Sequence, residues 1–221
     1  MKVAIIASGH GKYKAPFFDA EWECWGVNSS WADHSKAEKK FARWFELHRR
    51  KYLEWESRSS DAFQATWMRQ LRTLPVYVQD VTEWPEMTTV KAFPFADLDA
   101  LLPGRARYHA CSIDWMLAYA IQLGAEEVRL FGVEQHHTAE PVSSRACLEF
   151  WAGFAEGRGI KVSSADGSTF KLATLTFHDT PYAFDPTWLP RQDDSGHFST
   201  LAREKTRLER VVAGTQEADV D

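Results

Sequence analysis

The stretch from Ser112 to Val162 constrains the fold of this chain more than any other. Ile113, Met116, Leu117, Ala120 and Ile121 recur at i, i+3, i+4, i+7 and i+8, which is one apolar face of a helix. Ser112 is the expected N-cap, Asp114 lies in the first turn, and Gly124 is placed to stop the helix. Val128-Arg129-Leu130-Phe131-Gly132-Val133-Glu134 then reads as a strand. A second helix is expected from Ser144 to Glu156, with Leu148, Trp151, Ala152 and Ala155 on one face and Arg145/Glu149 as an i,i+4 pair. Gly157 and Gly159 end it, and Ile160-Lys161-Val162 is a further short strand. Helix, strand, helix and strand joined by short links predict a Rossmann-like, doubly wound α/β fold with a mostly parallel sheet.

The N-terminal half supplies the remaining strands. Val3-Ala4-Ile5-Ile6-Ala7 is a continuous apolar run, as strands buried on both faces require, and it is expected at the centre of the sheet. Cys24-Trp25-Gly26-Val27-Asn28, residues 42–48 and Pro75-Val76-Tyr77-Val78-Gln79 read as three more. Residues 52–72 look helical. Segment 84–104 carries Pro85, Pro94 and Pro103 and reads mostly as loop, with a short strand near residues 90–93. The Rossmann-like domain is thus expected over residues 1–176. Residues 177–221 form an extension, broken by Pro181, Pro186 and Pro190, then a short helix over 199–212 and an acidic tail from Gly214.

In a parallel sheet the carboxyl ends of the strands share one edge, where ligands bind. Ser8-Gly9-His10-Gly11 follows the first strand, and such a loop lets backbone N–H groups approach a phosphate or carboxylate. A plain tight turn is the competing reading, since the loop is neither GxGxxG nor GxxxxGK. Asn28 ends the second strand and has an amide able to donate to and accept from a base or ribose; a turn or helix N-cap is the competing reading. Glu46 and His48 end the third strand on one side, as an acid–base pair requires, against a surface salt bridge of Glu46 with Arg49 and Arg50. Ser112 opens a helix whose free N–H groups suit an anion. Glu134 ends a later strand. The expected site therefore joins Ser8, Gly9, Asn28, Ser112 and Glu134 for binding with His48 and Glu46 for catalysis. Glu134, His136, His137 and Glu140 cluster, but adjacent histidines in a loop make a polar wall a better reading than a metal site, and no metal is expected.

Several classes are disfavoured. Net charge is −5 and the isoelectric point is near 5.9, with no basic stripe for general nucleic-acid binding. No apolar run approaches the ~20 residues of a membrane span, and no secretory leader pattern follows Lys2, so no membrane partner is expected. Cys24, Cys111 and Cys147 are widely spaced, as reduced cytoplasmic thiols are. The ten tryptophans are scattered from Trp22 to Trp188 and read chiefly as core and interface residues.

The block from Cys111 to Ile121, followed by Gly124 to Glu134, resembles a group of tailed-phage and prophage proteins with a Rossmann-like fold. That group is similar in turn to bacterial lipooligosaccharide sialyltransferases and MptE-like pterin diphosphokinases. Asn28, Phe45-Glu46-Leu47-His48 and the stretch from Arg145 to Ile160 also look like the phage group. The resemblance covers roughly residues 1–170. Glu134 departs from the usual Gly-x-Asp, and Glu140-Pro141 stands where Glu-Tyr is usual. The resemblance implies a nucleotide or nucleotide-sugar ligand held by Gly9 and Asn28, and a phage-encoded chain would lie in the cytoplasm of the host cell. The alternatives are a non-catalytic phage accessory protein on a degenerate scaffold, and an interaction protein forming a homo-oligomer through Trp188 and the 199–212 helix.

Overall fold

The computed structural model describes residues 1–31, 34–56, 68–102, 108–134 and 142–165. The chain divides into two compact units, Met1–Leu175 and Thr176–Asp221, and the fold below belongs to the first. The expectations for residues 177–221 lie outside the described residues.

Among the described residues seven strands form one sheet: β1 Lys2–Ile6, β2 Trp22–Val27, β3 Arg43–Glu46, β4 Val76–Val78, β5 Val90–Ala92, β6 Glu127–Phe131 and β7 Lys161–Ser164. All six pairings are parallel, in the order β5-β4-β3-β2-β1-β6-β7. The chain adds strands outward from β1 to β5, then returns to place β6 against the other edge of β1. The strand order thus reverses between β1 and β6, which is where open α/β sheets open a crevice. Alternation sorts the side chains of each strand to two cores. Val3 and Ile5 join Trp25, Phe45 and Leu130 on one face; Ala4 and Ile6 join Cys24, Trp44 and Val78 on the other.

Among the described residues five α-helices cover the faces: α1 His34–Lys40, α2 Arg50–Glu56, α3 Phe95–Asp99, α4 Ser112–Gln122 and α5 Val142–Gly157. Helices α3, α4 and α5 pack on the first face, through Leu98, Met116, Leu117, Leu148 and Trp151. Ala37 of α1 and Leu53 of α2 pack on the second. Trp25, Trp44, Trp84 and Trp151 are completely buried, so four of the ten tryptophans are core residues. Gly26 is required by one of them, because a Cβ there would lie 2.2 Å from the ring of its cross-strand partner Trp44.

Two local expectations are corrected. Segment 84–104 holds α3 as well as β5, because Pro94 precedes Phe95 and tolerates a helix start. The cap of α4 is Cys111, with extended backbone at φ −149°, and Ser112 is its first residue. Asp114 makes the difference. Its carboxylate accepts the Ala110 and Cys111 N–H groups at 2.8 and 2.9 Å, which draws the helix start one residue back. At the other end Gly124, at φ +72°, sends its N–H to the carbonyl of Ile121, while that of Ala125 goes to Ala120. These two bonds make a Schellman ending.

Candidate functional site

Four chain segments meet at the carboxyl edge of the sheet around a pocket of about 180 Å³. Ala7, Ser8 and Gly9 follow β1, and Val27, Asn28 and Ser29 end β2. Cys111, Ser112 and Ile113 bring the N-terminus of α4, and Gly132, Val133 and Glu134 follow β6. The structure therefore brings Ser8, Gly9, Asn28, Ser112 and Glu134 together, although they are spread over more than half the chain.

The strand order explains the convergence. After β1 and β6 part, their loops stay locked: Ala7 N–H donates to Phe131 O, and Gly9 N–H to Gly132 O, each at 2.9 Å. A Cβ on Gly9 would fall 2.5 Å from Glu134 Oε1 and 2.6 Å from Gly132 O. The Gly9 loop thus serves close packing against the β6 loop. Its N–H already has a partner and is not an open phosphate donor. Gly132, a residue that sequence reasoning passed over, has φ +62°, and its Cβ would meet Gly9 O at 2.7 Å.

Asn28 has φ +49°, the left-handed region that Asn tolerates better than most residues. Its backbone N–H donates to Phe45 O at 3.0 Å, and the turn is closed by Ser30, whose Oγ accepts the Val27 N–H. The Asn28 Oδ1 is buried and has no hydrogen-bond partner among the described residues. A buried, unsatisfied amide oxygen is costly unless a ligand completes it.

At α4 the N–H groups of Ala110 and Cys111 are taken by Asp114. Of the next two, the Ile113 N–H is bonded to the Cys111 thiol, and that of Ser112 belongs to the first turn, which has no intrahelical acceptors. Ser8, Ser29, Ser112 and Ile113 line the pocket. None of the described lining residues is basic, and one is the Glu134 carboxylate. Cys111 stays a neutral thiol: burial, and then the nearby Asp114 charge, push it up from 9.0 to about 12. The wall is thus a set of hydroxyl, amide and N–H groups suited to a polar, hydroxyl-bearing ligand.

Behind Asp114 lies a second group that the sequence did not disclose. His109 donates from Nδ1 to Asp114 Oδ1 at 2.9 Å, and its side chain is 2% exposed. The ring is sandwiched between Trp115, 3.4 Å away at an interplanar angle of 7°, and Trp151, at 4.6 Å and 21°. This stack fixes Asp114 and, through it, the α4 end of the pocket. No residue spacing announces it, because Trp151 comes from a different helix.

Glu46 and His48 are paired with each other and are not among the pocket-lining residues. Glu46 is fully buried at the end of β3, while His48 is 39% exposed. Glu46 Oε1 accepts both the His48 backbone N–H at 3.1 Å and its Nδ1 at 2.6 Å. The His48 ring stacks on Tyr52. The arginines next to His48 reach other carboxylates: Arg49 meets Glu83 at 2.6 Å, and Arg50 meets Glu54 at 2.7 Å and Glu86 at 3.0 Å. Glu46 therefore orients the imidazole, as acid–base chemistry requires. His136, His137 and Glu140 lie outside the described residues. Among the described residues no group of three His, Cys, Asp or Glu side chains is placed to hold a metal ion. No helix among them is long and apolar enough to cross a membrane.

The sequence matches no family model and no curated protein. Among solved structures, the chain is similar to the sialyltransferase CstII from Campylobacter jejuni in complex with the substrate analogue CMP-3FNeuAc, at 15% identity and a TM-score of 0.47, covering 74% of this chain and 80% of that one. It is also similar to the sialyltransferase CST-II in complex with a trisaccharide acceptor and CMP, at 14% identity, a TM-score of 0.49 and the same coverage. A third similar structure is CstII with cytidine-5'-monophosphate, at 13% identity, a TM-score of 0.49, and coverage of 74% and 79%.

Proposed function

We propose that this chain binds a nucleotide or nucleotide-sugar at the β1/β6 crevice and acts as a glycosyltransferase-like transferase. The observation that carries the reading is the meeting of Ser8, Asn28, Ser112 and Glu134 in one pocket at the strand-order reversal, with the buried Asn28 Oδ1 unpartnered. A base amino group, or a ribose or sugar hydroxyl, would satisfy that oxygen, and further hydroxyls would donate to Glu134. The first-turn N–H of Ser112 would donate to the ligand's oxygens. At about 180 Å³ the pocket is smaller than the ~300–1,000 Å³ of sites enclosing a whole ligand, so it seats one moiety and leaves the rest at its mouth. His48, oriented by Glu46, is the proposed acid–base group. The phage-type assignment, which rests on the sequence resemblance, and the cytoplasmic compartment, which rests on the three widely spaced cysteines, are part of the same proposal.

A second reading, a non-catalytic binding protein on the same scaffold, draws on two observations. Glu46 and His48 do not line the pocket, and the Gly9 N–H is already bonded to Gly132. Thermal shift with a panel of CMP, UDP, GDP and NAD-type ligands tests the binding claim common to both. At least one ligand should raise the melting temperature, and Asn28→Ala should remove the shift. Silence toward the whole panel overturns the proposal. A shift without turnover of any nucleotide-sugar selects the non-catalytic reading.

A further inference from the structure

The first two loops of the fold carry a cluster of aromatic rings that runs from the core to the surface. Trp44 and Phe41 are buried, and their rings meet at 5.2 Å. Phe41 contacts Phe17 and Trp31 at 5.5 and 5.8 Å, and Trp31 contacts Tyr13 at 5.8 Å. At the outer end Tyr13 is 69% exposed and Phe18 is 94% exposed. Phe18 joins the cluster through Lys40 and not through a ring contact, and two such exposed rings beside a core-linked cluster mark contact with a partner.

Lysines surround the rings. Lys40 Nζ lies 4.4 Å from the Phe17 ring, 4.6 Å from Trp31 and 5.6 Å from Phe18. Lys12 Nζ lies 5.3 Å from Tyr13. Lys14, Lys36 and Lys39 are exposed on the same two segments. Among the described residues, the acids nearby are fewer than these five lysines: Glu21 pairs with Lys2, Glu38 accepts the Arg72 and Thr73 N–H groups, and Asp19 accepts the Glu21 N–H. The partner must therefore be anionic and must also offer an apolar phase.

We infer that this face, centred on Tyr13, Phe18, Lys12 and Lys40, docks reversibly on an anionic lipid surface. A bilayer interface offers phosphates at the level of the ammonium groups and acyl chains just beneath, for ring edges to enter. Single-stranded nucleic acid is also anionic, but it needs open ring faces for base stacking. Here a lysine ammonium stands over each of the four outer rings. The contact is peripheral and needs no spanning helix, so it departs from the expectation of no membrane partner, which rested on the lack of an apolar span. It would hold the pocket close to the membrane, since the loops carrying the patch leave directly from Gly9 and Ser29.

Vesicle co-sedimentation of the full chain tests this, with phosphatidylcholine alone and with phosphatidylcholine mixed with phosphatidylglycerol. Binding is expected only to the anionic vesicles and should fall steeply with added salt. The double substitution Tyr13→Ser, Phe18→Ser should weaken it about tenfold or more, through the lost ring burial. Lys12→Glu with Lys39→Glu should weaken it further still, since each lysine near such a surface is worth about fivefold in partitioning. Both ring positions are exposed, so the melting temperature should hold; if a variant fails to fold, the salt and lipid dependence of the unaltered chain decides. Absence of binding to anionic vesicles overturns the inference. So does equal binding to neutral ones, equal binding by the folded ring variant, or retention of an oligothymidine in place of vesicles.

Discussion

Replacing Gly132 with alanine tests how tightly the β1 and β6 loops are locked over the pocket. Two costs combine. The residue has φ +62°, where an alanine pays about 1–2 kcal/mol. Its new Cβ would stand 2.7 Å from Gly9 O and 3.0 Å from Ala7 O. Both contacts are backbone, so no side-chain rotation relieves them and the β1 loop must move. That shift weakens the 2.9 Å bond from Gly9 N–H to Gly132 O, worth about 1 kcal/mol. The sum is a loss of about 2–4 kcal/mol. Gly124→Ala is the internal control. It has φ +72° but nothing within 4 Å of the new Cβ, so only the conformational cost of about 1–2 kcal/mol remains. Gly153→Ala has open space in the middle of α5 and should stabilise by about 0.5–1 kcal/mol. Urea unfolding at a common slope gives all three. If Gly132→Ala is no worse than Gly124→Ala, the locked-loop account is wrong.

Three further outcomes follow from the same geometry. Asp114→Asn sets an NH₂ donor among three groups that now donate to the carboxylate, so it should cost about 2–4 kcal/mol; a loss under about 1 kcal/mol in calorimetry would remove Asp114 as the anchor of α4. Burial raises Cys24 to about 11 and Cys111 to about 12, from an ordinary 9.0. Both should therefore react slowly with Ellman's reagent at pH 8 until the chain unfolds. Because the unfolded thiols ionise first, stability should fall between about pH 9 and 12, and a flat profile there would contradict the burial. His48→Ala should abolish any turnover. It should also cost about 1–3 kcal/mol, because buried Glu46 loses the 2.6 Å partner; retained turnover excludes His48 as the acid–base group.

Much of this fold is legible in the order of the residues alone. Ile5 and Ile6 sit in an apolar run, so both faces of that strand must be covered. Ile113 to Ile121 mark one helix and Leu148 to Ala155 another. Glycines stand at the ends of both. These signals are local: hydrophobic period and backbone freedom are properties of a few consecutive residues. Placing Ser8, Asn28, Ser112 and Glu134 on one edge needed only the rule that parallel strands share a direction.

Long-range packing decided the rest. Only the pairing of β6 with β1 brings the 132–134 loop onto Gly9, which turns an expected phosphate loop into a packing surface. Only the fold shows that Asn28 is left-handed with a buried, unpartnered oxygen, that His109 lies between indoles from two helices, and that the Glu46–His48 pair is not part of the pocket lining. The cap at Cys111 shows the same division, since the choice between neighbouring residues fell to the hydrogen bonds of Asp114. Periodicity tells a segment which of its faces is apolar. Which partner covers that face, and which polar atoms are left over, depends on contacts between segments tens of residues apart, and those energies appear only once the chain has closed.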